Sequence, residues 1–369
     1  MMLVNKVGQK QKLTNLTSSH KYELLLKAVL LDKENYLVAF SKWKQNIDFE
    51  HDIDSDSIKL LPLLYQKLCD QKVDDDLIPR LKGIYRKSWI NNQLICEQLT
   101  SLIGDLSAQK ITPLILPEAA SAFIIYNSLA LRYIGKFNFA VKQSQLQDVI
   151  RYLYFSGWKV GKNKFDLNFI FKYGTNISFR KKNVCEITLH WYPDFDSNNN
   201  KLETDLWERS IMITQGGQEL NFFSITDCFI YLIKNHLSDP INLTDISTMI
   251  TFHSDKLNWD LIIAETQNIN FAETLNQVLL YLKNTVEVIV PDSVYKVLSS
   301  KKKHWLEIAI ENRINILNKK SNLKTKTKKI NYVYLQYNAM TYQANWYLKQ
   351  IGLLKYIYRN KKRKLELKQ

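Results

Sequence analysis

The stretch "LRYIGKFNFAV", Leu131 to Val141, decides how the middle of the chain is read. After Gly135 it alternates apolar and polar residues, so the pattern predicts a strand with Phe137 and Phe139 on one face and Lys136 and Asn138 on the other. Two polar residues two apart on a strand address the same space, which is how paired carboxylates share divalent cations. Here the first of the pair is a lysine, whose ammonium has no lone pair for a metal.

Outward from this strand the text keeps a mixed rhythm. Before it come a short β-rich run, "ITPLILP", and a helical one, "EAASAFIIYNSL". After it come a helix, "SQLQDVIRYLYFSGW", and three runs read as strands: "FDLNFIFKY", "ISFRKK" and "VCEITLHWYP". A polar stretch and a further strand, "ERSIMITQ", complete the segment. The order implies a small mixed sheet with helices packed on one face. Both flanks carry apolar residues at three- and four-residue spacing, as in "YELLLKAVLLD", "IKLLPLLYQKLCDQ" and "FAETLNQVLLYLKNTV". "DDLIPRLKGIYRKSWINNQLICEQLTSLIGDLSAQK" reads as several helices in succession.

The expected fold class is therefore α+β. A polar tail spans residues 1–20 and is expected to be mobile, a helical module 21–108, the sheet-bearing core 109–217 and a second helical module 218–315. Residues 316–369 are expected to form a basic loop and one amphipathic helix, with Tyr334, Tyr337, Tyr347, Leu354 and Tyr358 on a stripe that docks on the body or lies on a membrane surface.

Composition narrows the class. With 46% hydrophobic and 12% aromatic residues the chain can bury a core, which excludes disorder throughout. No window approaches the ~18–20 uninterrupted apolar residues that cross a bilayer, and the first residues lack the apolar run of a signal peptide, so a cytoplasmic protein is expected. Cys69, Cys96, Cys185 and Cys228 form no C-x-x-C pair and are read as small, buried and reduced. His236 and His253 have no ligand-like spacing, and no Walker, Rossmann, HExxH or G-x-S-x-G pattern occurs. The formal net charge is +15, to which an A+T-rich coding bias toward Lys, Asn and Ile contributes. Placement adds to this: "NKKSNLKTKTKK" and "RNKKRKLELK" are cationic runs that suit either a solvated tail or contact with nucleic acid or an anionic membrane.

The layout and several local texts together resemble the uncharacterised nucleotidyltransferase family, a branch of the DNA polymerase beta-like nucleotidyltransferase superfold. The resemblance runs over roughly residues 21 to 290 and rests on "LLKAVLLD", "LLPLLYQKL", "PRLKGIYRKSW" with "NNQL", "LRYIGKFNFAV", "ITLHW", and "LTDISTMI" followed by "LNWDLII", in that order. It implies nucleotidyl transfer: an acceptor oxygen attacks the α-phosphorus of a nucleoside triphosphate, pyrophosphate leaves, and two Mg²⁺ ions about 3.5–4 Å apart stabilise both oxygens. The family supplies the metals with a D-x-D on one strand and a third carboxylate on its neighbour. It follows the first strand with Leu-Lys-Gly, which opens a helix toward phosphate.

This sequence departs at each of those positions. The D-x-D falls on Lys136 and Asn138, the third carboxylate on Thr188, and Leu-Lys-Gly has become Leu116-Pro117-Glu118. A fixed cation where a dication belongs repels it by several kcal/mol in a partly desolvated site. The expected ligand-binding residues are Lys136, Asn138, Thr188, Glu118 and His190, with Trp191 beside the last, and no catalytic residue is assigned. Three readings follow. The first is a degenerate transferase fold that binds a nucleoside triphosphate, another phosphate ligand or a partner protein. The second is an active Mg²⁺-dependent transferase with relocated carboxylates, drawn from Glu186, Asp166 and Glu118. The third is a scaffold whose basic C-terminal segment meets a polyanion or membrane surface.

Overall fold

The computed structural model describes residues 20–300 apart from 33, 50, 52, 162–166, 168–169, 172–174, 192–204, 235–238 and 268. The expected C-terminal helix, both cationic runs, the polar tail before residue 20, Asp166 and His236 lie outside the described residues. The chain divides into two compact units, and the division falls inside a single strand, between Asn138 and Phe139.

The first unit holds both helical stretches. Helices α1 (His20–Leu30), α2 (Asn35–Gln45) and α3 (Ser57–Asp70) bury one stripe each, among it Tyr22, Leu25, Phe40, Trp43, Leu61 and Leu64. Trp43 stacks on Phe40 and meets Phe49 edge-on. The next stretch, expected as several helices, is one: α4, Ile78–Ala108. From Ser88 on, its buried residues Asn92, Cys96, Leu99, Ile103 and Leu106 keep a three- to four-residue spacing, with half-buried Ile84 and Tyr85 between Leu81 and Ser88, and Gly83 and Gly104 are not followed by the capping pattern that would end a helix.

The same unit carries β1 (Leu114–Ile115), α5 (Pro117–Ile124), the first half of β2 (Phe137–Ala140), β6 (Ile211–Gln215) and β7 (Gln218–Phe222). Its strands lie in the order β2, β1, β7, β6, with β1 parallel to β7 and β7 antiparallel to β6. Sequence reading passed over β7. The turn before it is Gly216–Gly217, with φ of 55° and 77°, and Gln215 pairs with Gln218 across it. Two consecutive left-handed residues close a two-residue hairpin, and only glycine adopts both without strain. Helices α7 (Ile225–Lys234), α8 (Ile241–Phe252), α9 (Trp259–Glu265), α10 (Ile269–Val286) and α11 (Asp292–Ser300) follow. Ser224 precedes α7, donating its hydroxyl to Asp227 while accepting from the Asp227 amide, a reciprocal cap. Arg209 adds two bonds to the same carboxylate, at 2.7 and 3.1 Å. Helix α1 packs on α8 and α10, so the N-terminal and C-terminal helices share one core.

The second unit contains the rest of β2, α6 (Leu146–Phe155), β3 (Lys159–Val160), β4 (Asn176–Arg180) and β5 (Ile187–His190). Its strand order is β3, β4, β5, β2, and β4 and β5 pair antiparallel with Ser178 opposite Thr188. The run expected as a strand at "FDLNFIFKY" is helical at its described residues Leu167, Ile170 and Phe171. Apolar residues three and four apart there fit a helix turn as well as the alternation fits a strand, and a short run does not separate the two. Two cysteines depart from the expected burial: Cys69 is exposed and Cys185 half-buried, whereas Cys96 and Cys228 are buried, and all four are free. Among the described residues no helix is long and apolar enough to cross a membrane.

Candidate functional site

The segment that presents Lys136 is pinned from two sides. From α4, the Asn92 amide donates to the carbonyls of Leu129 and Arg132, and its oxygen accepts from Ile134 N at 3.1 Å. Ser88 Oγ donates to the Ala130 carbonyl at 2.8 Å. From α8, Asp245 receives Arg132 Nε at 2.9 Å and the Tyr126 hydroxyl at 2.8 Å. Arg132 also reaches the Tyr133 carbonyl at 2.7 Å and Asn242 Oδ1 at 3.3 Å. Arg132 is 3% and Asp245 0% exposed, so the charges meet away from water. Burial holds the Asp245 carboxyl above the usual carboxylate range against the pull of Arg132, and burial followed by the Asp245 charge drives the Tyr126 phenol well up. Two landmark stretches, "LRY" and "LTDIS", are thus joined by their charged residues. Nothing in either text predicts that pairing, because it spans 113 positions.

The pinned segment delivers Gly135 and Lys136 to the mouth of β2. Leu116 N donates to the Asn138 carbonyl at 3.0 Å, which sets the start of α5 beside the strand. Lys136 is exposed, just outside the strand, and no described carboxylate pairs with it. Asn138 was expected on an open polar face, yet all four residues of β2 are buried and Asn138 is 2% exposed. Its Oδ1 has no hydrogen-bond partner among the described residues, and neither does the buried Oε2 of Glu118 in the first turn of α5. That turn has few amides left for a phosphate. Pro117 has no N–H, Leu116 donates to Asn138, and Ala119 and Ala120 donate to the Leu116 carbonyl.

Thr188, Glu186, His190 and Trp191 belong to the second unit. Thr188 is buried with its hydroxyl 3.2 Å from that of Ser178. Glu186 accepts both Nε and Nη2 of Arg180 at 2.8 Å, so its charge is already matched. His190 is 5% exposed and its carbonyl receives Val141 N at 2.9 Å. Trp191 is buried beside Phe171, and its amide donates to the Thr175 carbonyl.

Taken singly, none of Lys136, Asn138 and Thr188 is a charged oxygen ligand for magnesium. At the three positions where the resemblance places carboxylates stand one ammonium, one buried amide and one hydroxyl engaged with a serine. Magnesium requires hard, charged oxygen ligands, and lysine offers none.

The family model described as "Uncharacterised nucleotidyltransferase" matches residues 56–287, more than half of the chain. The chain belongs to the uncharacterised nucleotidyltransferase family. Among solved structures, an antigenic nucleotidyltransferase-like protein from Paracoccidioides brasiliensis is similar at 12% identity and a TM-score of 0.33, covering 57% of this chain and 95% of that one. No curated protein matches. Within the matched span the Arg132–Asp245 clamp keeps the segment bearing Lys136 in place.

Proposed function

We propose that this family member is catalytically degenerate and binds a phosphate-bearing ligand, a nucleotide by class, without a metal. The observation that carries the reading is Lys136: an exposed ammonium with no described carboxylate partner, at the position where the family pattern has its first metal-binding aspartate. A fixed monovalent cation attracts phosphate oxygens directly, and nothing then activates an acceptor or draws pyrophosphate away. Membership of the nucleotidyltransferase family supports a nucleotide as the phosphate bearer. Affinity is expected to be weak, because the first turn of α5 has given most of its amides to backbone carbonyls.

Calorimetry with a nucleoside triphosphate in EDTA and in Mg²⁺, run beside an assay for released pyrophosphate, tests this. Binding is expected to be equal in the two buffers and lost in Lys136→Ala, with no pyrophosphate formed. Mg²⁺-dependent pyrophosphate release by the unaltered protein, abolished by Glu186→Ala or Asp166→Ala, would overturn it and establish relocated ligands.

A further inference from the structure

A second recess, wholly within the first unit and away from Lys136, is built from different chemistry. It has a volume of about 410 Å³, inside the ~300–1,000 Å³ range of small-molecule clefts. One wall is a single face of α8, where Thr244, Ser247, Thr248 and Thr251 recur at helical spacing, with the Thr248 hydroxyl beside the Tyr126 phenol. Thr244 is fully buried, and its hydroxyl has no hydrogen-bond partner among the described residues. A buried hydroxyl left so is costly unless something in the recess completes it. On the opposite side Lys67 Nζ lies 2.9 Å from Asp32 Oδ1, and Asp70 accepts from the neutral Gln66 amide at 2.7 Å. Val29, Leu30, Leu63, Ile125, Tyr126 and Asn127 line the remainder, and Phe252 stands at the rim with 70% of its surface exposed.

Such a lining discriminates by charge. Its one cation is held by a carboxylate, so a phosphate would find no free counter-charge and would meet Asp32 and Asp70. A purely apolar ligand would leave the Thr244 hydroxyl unsatisfied. A neutral ligand with many hydroxyls and an apolar face satisfies both constraints. Its hydroxyls bond to the threonine row and to carboxylate oxygens, while its C–H face covers the aliphatic residues and the Phe252 ring. We propose that this recess is a binding site for a neutral sugar of mono- or disaccharide size, separate from the position marked by Lys136.

Saturation-transfer NMR on the full chain tests the assignment, with glucose, galactose, N-acetylglucosamine, maltose and lactose as probes and glucose 6-phosphate as the charged control. At least one neutral sugar is expected to give a saturable signal that the phosphate ester neither matches nor displaces. Thr244→Val keeps the side-chain shape and removes an unpartnered hydroxyl, so its melting temperature should hold or rise while affinity falls by about tenfold or more. Phe252→Ala, at an exposed position, is expected to weaken binding with the fold intact. Lys136→Ala should leave the sugar signal unchanged, which separates this site from the nucleotide reading. The assignment fails if no neutral sugar binds in the millimolar range, if the phosphate ester binds more tightly, or if both Thr244→Val and Phe252→Ala bind as the unaltered protein does.

Discussion

At the scale of single residues, Arg132 matters more to the stability of this protein than the exposed Lys136. Its guanidinium is buried with Asp245 and also holds the Tyr133 carbonyl and Asn242, so removing it strands a carboxylate in the core. Breaking one side of such a pair costs about 3–5 kcal/mol, several times the value of a surface ion pair. Arg132→Ala is expected to lower the urea midpoint by a corresponding amount. Arg151→Ala, which loses only the exposed contact to Asp148, should change it hardly at all. Thiol chemistry follows burial in the same way. Burial, with Cys185 nearby, pushes the Cys96 thiol up to about 12, and burial pushes Cys185 to about 11. The thiolate is the nucleophile, so at neutral pH both are protonated and slow, and their alkylation should accelerate as pH rises toward those values. Mass spectrometry after brief iodoacetamide treatment of the folded protein should find the exposed Cys69 modified first. Early labelling of Cys96 would contradict this picture.

At the scale of elements, the two kinds of glycine should respond in opposite directions. Gly83 lies inside α4, and a Cβ there would meet nothing within 4 Å. Gly83→Ala should therefore stabilise by about 0.5–1 kcal/mol, since alanine surrenders less backbone entropy on folding. Gly217, at φ 77° in the β6–β7 turn, also has open space around it, but an L side chain there is strained. Gly217→Ala should cost roughly 1–2 kcal/mol. Paired denaturation curves measure both. The hairpin was legible in principle, since two glycines between runs of β character are a turn signal, but β7 alternates only Leu220 and Phe222 with polar residues, too short a run to mark a strand by itself.

At the scale of the whole chain, charge is partitioned sharply. Residues 301–369 hold 18 Lys and Arg against three Asp and Glu, which equals the full +15, so residues 1–300 are balanced. A coding bias acting evenly would have spread the excess, and it did not. A chain ending at Ser300 is thus expected to pass through a cation exchanger at neutral pH that retains the full-length protein. Any binding of the full chain to a polyanion should weaken steeply with added salt, and that binding should vanish in the truncated form.

What the sequence determined by itself was whatever rests on local periodicity and motif order. Most of the helices in the two flanking modules, the strand at Phe137, the α+β class and the family were readable there, because side-chain period and capping are properties of neighbours in the chain. It also determined that position 136 supplies no metal ligand, since a lysine ammonium has no lone pair in any fold. Only the tertiary structure decided the rest. Arg132 meets Asp245 across 113 positions, α1 joins α8 and α10, and α8 is buried on every side from Ile241 to Ile250 although it carries Asn, Thr, Asp and Ser. The hydroxyl-lined recess and the buried, partnerless oxygen of Asn138 arise in the same way. Burial and pairing depend on which distant elements share a core, and no period within a single segment encodes its partner.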